Sequence, residues 1–134
     1  MNREYADEIS TAIGELKKDG RYRELNNYIQ HGTVSVFKHC RNVAYVSLLI
    51  ADRLHIRVDR KALVKGALLH DYFLYDWHEK NKNHRLHGFY HPRHALRNAM
   101  QDYNISDKEA DIILKHMFPL TIIPPNNREA WIVC

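Results

Sequence analysis

Apolar residues recur along this chain every three or four positions, and no segment sustains the two-residue alternation of a half-buried strand. The spacing predicts an all-α fold, a compact bundle of about six or seven helices. Tyr5, Ile9, Ala12, Ile13 and Leu16 share one side of a first helix from about Glu4 to Lys18, which Asp19-Gly20 ends. A short second helix is predicted around Tyr22 to Ile29. After a break at Gly32-Thr33, Val36, Val43, Val46, Leu49, Ile50 and Leu54 form the inward stripe of a helix from about Ser35 to Leu54. Asp59 is placed to cap the next helix, whose Ala62, Leu63, Val64, Gly66, Ala67, Leu68 and Leu69 are apolar on most of its circumference up to His70.

From Trp77 to Tyr90 the sequence turns polar and loses its period, which predicts a long surface loop of the kind that often carries function. His91-Pro92 restarts a helix with Ala95, Leu96, Ala99 and Met100 inward, since Pro fits a first helical turn. Ser106-Asp107-Lys108-Glu109 has the form of a capping box and opens a helix through Ile112, Ile113 and His116 toward Met117. Pro119 and Pro124-Pro125 frame a rigid connection to a last helix, which begins near Asn127 and carries Trp131, Ile132 and Val133.

Composition narrows the function classes. At 134 residues the expectation is one domain with a sizeable core, residues 1–30 supplying N-terminal helices and 35–134 the core that bears the motifs. Cys40 and Cys134 lie far apart without a CxxC partner, which argues against a disulfide scaffold or zinc ribbon and favours a reducing, cytoplasmic setting. No apolar run approaches the ~20 residues of a membrane span. The net charge of +4 admits an anionic ligand, but the basic residues are spread over several helices, so nucleic-acid binding is disfavoured. No Gly-rich phosphate loop occurs, and no Ser or Cys sits in a strained Gly-flanked turn to act as a nucleophile.

The unusual feature is ten histidines, and three of them fall on apolar faces. His39 lies three after Val36 and four before Val43. His70 lies three after Ala67 and four before Leu74, and His116 follows Ile112 and Ile113 at helical spacing. An imidazole buried without a partner costs a few kcal/mol. Any one of them taken singly is best read as a core histidine bonded to a carbonyl or carboxylate. Three on three helices, with Asp71 adjacent to one, are the donor set of a transition metal held between facing helices.

An early His39, the doublet in Leu68-Leu69-His70-Asp71, His91-Pro92 and a late His116, in that order on a helical chain, resemble the HD-domain metal-dependent phosphohydrolases. The two additional histidines are similar to those of the HDIG-like subgroup that holds two metals. The resemblance spans roughly Val36 to the C-terminus. It implies that His39, His70 and Asp71 hold one divalent ion and that His91 and His116 hold a second, with Asp71 bridging them and orienting a water that attacks phosphorus. Mn, Fe, Co, Ni, Zn and Mg are all candidates for the ions. The chain departs from the subgroup in two places. Tyr72-Phe73-Leu74 stands where Ile-Gly-Lys follows the doublet, and the distal Asp of the family has no counterpart, since Asp111 comes too early. The expectation is that the chain as given stops short of that Asp; the alternative is that the protein lacks this ligand.

The function so implied is hydrolysis of a small phosphate ester, a nucleotide among the candidates. A metal-binding or ligand-sensing domain without turnover is the rival reading. Arg93, Arg97, Lys65 and Lys115 are candidates to clamp phosphate. His87 and His94 are candidate alternative ligands or proton carriers, and Asp76 or His78 a candidate proton donor. Cys40 is read as a buried apolar residue.

Overall fold

Helices form where the apolar stripe is wide enough to be buried. In the computed structural model, which describes residues 3–18, 22, 29–31, 34–72, 93, 95–116 and 124–133, these are α1 (Arg3–Lys18), α2 (Val36–Arg53), α3 (Arg60–Leu69), α4 (95–102), α5 (Asp107–Lys115) and α6 (Arg128–Val133). The architecture is all-α. One local expectation is corrected. Ile29, read as the end of a short helix, lies in strand β1 (Ile29–His31), which pairs antiparallel with β2 (Val34–Ser35). Ile29 and Val34 are β-branched, which favours extended backbone at these positions; the predicted helix over residues 23–28 lies outside the described residues. Ser35 accordingly belongs to the strand, and α2 starts one residue later.

The helix starts follow their caps. Asp59 is extended and its side chain accepts a hydrogen bond from the backbone N–H of Ala62. Ser106 and Glu109 exchange both bonds of a capping box at the start of α5. The helix α2 ends without glycine. His55 takes a positive φ of 53°, and the N–H groups of His55 and Ile56 donate to the carbonyls of Asp52 and Ala51, a left-handed C-terminal turn that retires two free carbonyls.

Packing is centred on α3. It lies against α2 on one side and α5 on the other, while α1 crosses α2 and α3, and α6 closes on α5, α2 and α3. Leu48, Leu63, Leu68, Leu69, Tyr72, Ile112 and Ile113 are fully buried in this core. Arg60 forks onto Glu8 and Asp52, fastening the start of α3 to α1 and to the end of α2. The consequence for function is positional: the last turn of α3 is surrounded by helices, so any side chain it carries toward α2 and α5 is buried. Among the described residues no helix is long and apolar enough to cross a membrane.

Candidate metal centre

The helix α3 ends at His70, which is its C-cap, and Asp71 and Tyr72 follow directly. All three are buried. The residue after Asp71 fixes it in place, because the Tyr72 carbonyl accepts from the Asn98 amide at 2.9 Å and the Tyr72 hydroxyl donates to Asp102 at 2.6 Å. Both partners come from α4. His39 projects from the end of the first turn of α2, and His116 is the C-cap of α5. Three helices thus bring three imidazoles to one carboxylate.

The contacts divide between the two oxygens of Asp71. His39 Nε2 lies 3.2 Å and His70 Nε2 3.3 Å from Oδ2, whereas His116 Nε2 lies 3.4 Å from Oδ1. The Nε2 atoms of His39 and His70 are 3.3 Å apart. These three atoms form a nearly equilateral triangle whose centre is about 1.9 Å from each corner, close to the ~2.0–2.2 Å bond lengths of a small divalent ion to nitrogen and oxygen. His116 approaches from the other side, its ring edge-on to that of His70 with 4.7 Å between centroids.

Tautomers are set by the backbone. Nδ1 of His70 contacts the carbonyl of Ala67, and Nδ1 of His116 contacts that of Ile113 at 2.7 Å. A carbonyl only accepts, so each Nδ1 carries a proton, and Nε2 is left facing Asp71, to donate to it when protonated or to offer its lone pair to an ion when the ring is neutral. This is the outer bond that orients a metal-ligating histidine. Both α3 and α5 also end here, and the partial negative charge of two helix C-termini favours a cation. The donor set therefore fits a divalent ion by chemistry, convergence and orientation.

Electrostatics without an ion agree. Burial pushes the Asp71 carboxyl up, but the charge of His70 and hydrogen bonds from His116, His39 and His70 together hold it well below the usual carboxylate range. Burial pushes the His70 imidazole down, yet the Asp71 carboxylate, with a smaller contribution from Cys40, lifts it well above its ordinary 6.5. Burial raises the Cys40 thiol, which lies against His70.

These directions give a pH prediction with a definite sign. His70 contributes stability that is complete below its ordinary 6.5 and is lost as pH rises through its raised value. Asp71 contributes stability present above its ordinary 3.8 and lost as pH falls through its lowered value. In chelator, the cluster is therefore expected to stabilise the fold most in the mildly acidic range. Added Mn²⁺ should stabilise more at about pH 8 than at about pH 5, because the ion displaces imidazole protons. Thermal melts across pH with and without Mn²⁺ check this; an Mn²⁺ shift that is equal at both ends would contradict it.

The other residues singled out in the sequence fall elsewhere. His91, His87, His94 and Asp76 lie outside the described residues, as does His78. Arg93 is exposed, and it borders a shallow groove with Leu96, Arg97, Met100 and Leu114. Lys115 is corrected as a phosphate clamp: it is buried, donating to Asp111 at 3.1 Å and to the Pro124 carbonyl at 3.4 Å. Asp111 also accepts from the backbone of Asn126 and the amide of Asn127, so this pair ties α5 to the connection before α6. Lys65 is likewise engaged, with the Asn104 carbonyl and Glu109. The sequence reading missed Asn98 and Asp102. Their four-residue spacing on one helix, facing the residue after His-Asp, is the signal that could have found them.

An all-α bundle with a His-His-Asp cluster at the ends of packed helices, His70 and Asp71 buried and His39 partly exposed, defines a candidate metal-binding domain. The family model of the HD domain matches residues 36–134, from the first residue of α2 onward, and the chain belongs to this family. HD domains are generally metal-dependent hydrolases. No curated protein and no solved structure matches the chain.

Proposed function

We propose that the protein is a metal-dependent phosphohydrolase that hydrolyses a small phosphate ester, with nucleotides among its candidate substrates. The observation that carries this reading is the divided carboxylate of Asp71, one oxygen toward His39 and His70 and the other toward His116. That division suits the two-ion arrangement of the HDIG-like subgroup, with His39, His70 and Asp71 as one ligand set and Asp71, His116 and His91 as the other. Divalent ions held by these residues would supply Lewis acidity, the chemistry that makes water nucleophilic near neutral pH and withdraws charge from phosphoryl oxygens.

The chain's own residues do the rest. Asp71 stays ionised through the neutral range, so it is available to ions and to a proton of water at either oxygen. His70 and His116 keep their Nδ1 protons on backbone carbonyls, which holds both rings in one orientation as charge changes at Nε2. His39 leaves 25% of its side chain exposed while Asp71 and His70 are almost sealed, so substrate is proposed to approach past His39. Arg93 is proposed to meet phosphate, and His87, His94 and Asp76 are proposed to assist as ligands or in proton transfer.

The test is elemental analysis of purified protein together with turnover of a generic phosphomonoester and phosphodiester in Mn²⁺, Co²⁺ or Ni²⁺. Hydrolysis that requires the metal and is lost to chelator is the expected result. Bound metal with no hydrolysis of any ester would favour the sensing domain. No bound metal would refute the centre.

A further inference from the structure

Two of the three histidines at this centre are delivered in the same way, and a single close contact governs both. His70 lies four residues after Gly66, and His116 lies four residues after Ile112. Gly66 and Ile112 are in contact where α3 meets α5: a Cβ added at Gly66 would lie 2.6 Å from Ile112 Cδ1, 2.8 Å from Cγ2 and 2.9 Å from Cβ. A new rotamer could move Cδ1 and Cγ2 away, but Cβ is fixed to the backbone, so a side chain at position 66 would push the helices apart. Gly66 sits in the middle of a helix, where glycine is a poor residue and alanine the best. Its value there is the close approach it allows.

One helical turn further on, that approach sets the distance between the two rings. His70 and His116 are each C-caps, each with Nδ1 on the carbonyl three residues back, so neither ring can swing to make up a change in helix separation. We infer that Gly66 is a positioning residue for the metal centre: by letting α3 and α5 touch at Ile112, it holds His116 within reach of the second oxygen of Asp71. This rests on the reading of the cluster as a metal centre, but the geometric part does not need the metal.

The experiment compares wild type with G66A, I112A and the double variant G66A/I112G, which removes the fixed Cβ at position 112 as well, with Mn²⁺ alone as probe. I112A removes bulk from the contact without forcing the helices apart, so it controls for lost stability. In metal-free protein, the nuclear Overhauser signal between the His70 and His116 rings is expected in wild type and I112A, lost in G66A, and recovered at least in part in the double variant. In Mn²⁺ titrations, G66A should bind about 10- to 100-fold more weakly, the range for losing an outer support of a metal site. I112A should bind as wild type does even though it melts lower. The inference is overturned if G66A keeps the ring-to-ring signal, or if I112A loses Mn²⁺ as G66A does. Wild type that shows the ring contact but no Mn²⁺ binding would overturn the functional reading and leave the spacing role of Gly66 standing.

Discussion

Asp71→Asn is expected to abolish Mn²⁺ binding and phosphate-ester hydrolysis together while leaving the helices in place. The amide has the shape of the carboxylate and fills the same buried space, so packing around Tyr72, Asn98 and Asp102 is kept. What goes is the charge on which three imidazoles converge. In chelator the variant also leaves the buried His70 imidazole without the carboxylate that holds its proton, and removing one partner of a buried pair costs about 3–5 kcal/mol. As pH rises through the raised value of His70 in the wild type, the wild type gives up that proton too and the difference shrinks. Wild type should gain about 2.7 kcal/mol from Mn²⁺ at a hundred times its dissociation constant, and the variant none. Urea melts at two pH values with and without Mn²⁺, alongside metal analysis, measure all of this. A variant that retains wild-type metal content would remove Asp71 from the centre.

Leu68→Ala should produce the opposite pattern. Leu68 is fully buried on α3, two residues before His70, in the core shared by α1, α2 and α3. Truncating it leaves a cavity in a close-packed interior and should destabilise by about 2.7–5 kcal/mol. For a domain of this size that lowers the melting temperature by roughly 10 °C or more. Its backbone carbonyl still accepts from the Tyr22 hydroxyl, and the last turn of α3 keeps its bonds. The metal bound per folded chain should therefore equal wild type. Loss of metal in proportion to loss of stability would mean that the centre is no more rigid than the core around it.

The helices were legible because their apolar stripes are wide and their caps conventional, as Asp59 and the Ser106–Glu109 box illustrate. The paired strands Ile29–His31 and Val34–Ser35 were not, since so few residues carry no usable period. The inward positions of His39, His70 and His116 could be read from helical spacing. Their meeting at one carboxylate could not, because it depends on how α2, α3 and α5 cross. Lys115 shows the same limit from the other side. Next to His116 in sequence it looked available to a phosphate, but a helix turns about 100° per residue, and that rotation sends it to Asp111 and away from Asp71.

The positions of the ligands along the chain carry a topological consequence. His39 and His70 are 31 residues apart, and His70 and His116 are separated by a further 46. Ions held by these histidines and joined through Asp71 would close two long loops of chain, as a cross-link does. By chain-entropy reasoning, closing a loop of such length is worth about 3–5 kcal/mol against the unfolded state, the scale of a disulfide bridge. A protein whose cysteines sit at positions 40 and 134, too distant in sequence to staple the bundle locally, would then have its covalent-like tether in the same atoms that do its chemistry. Resistance to unfolding and readiness to act would rise and fall together with the supply of metal.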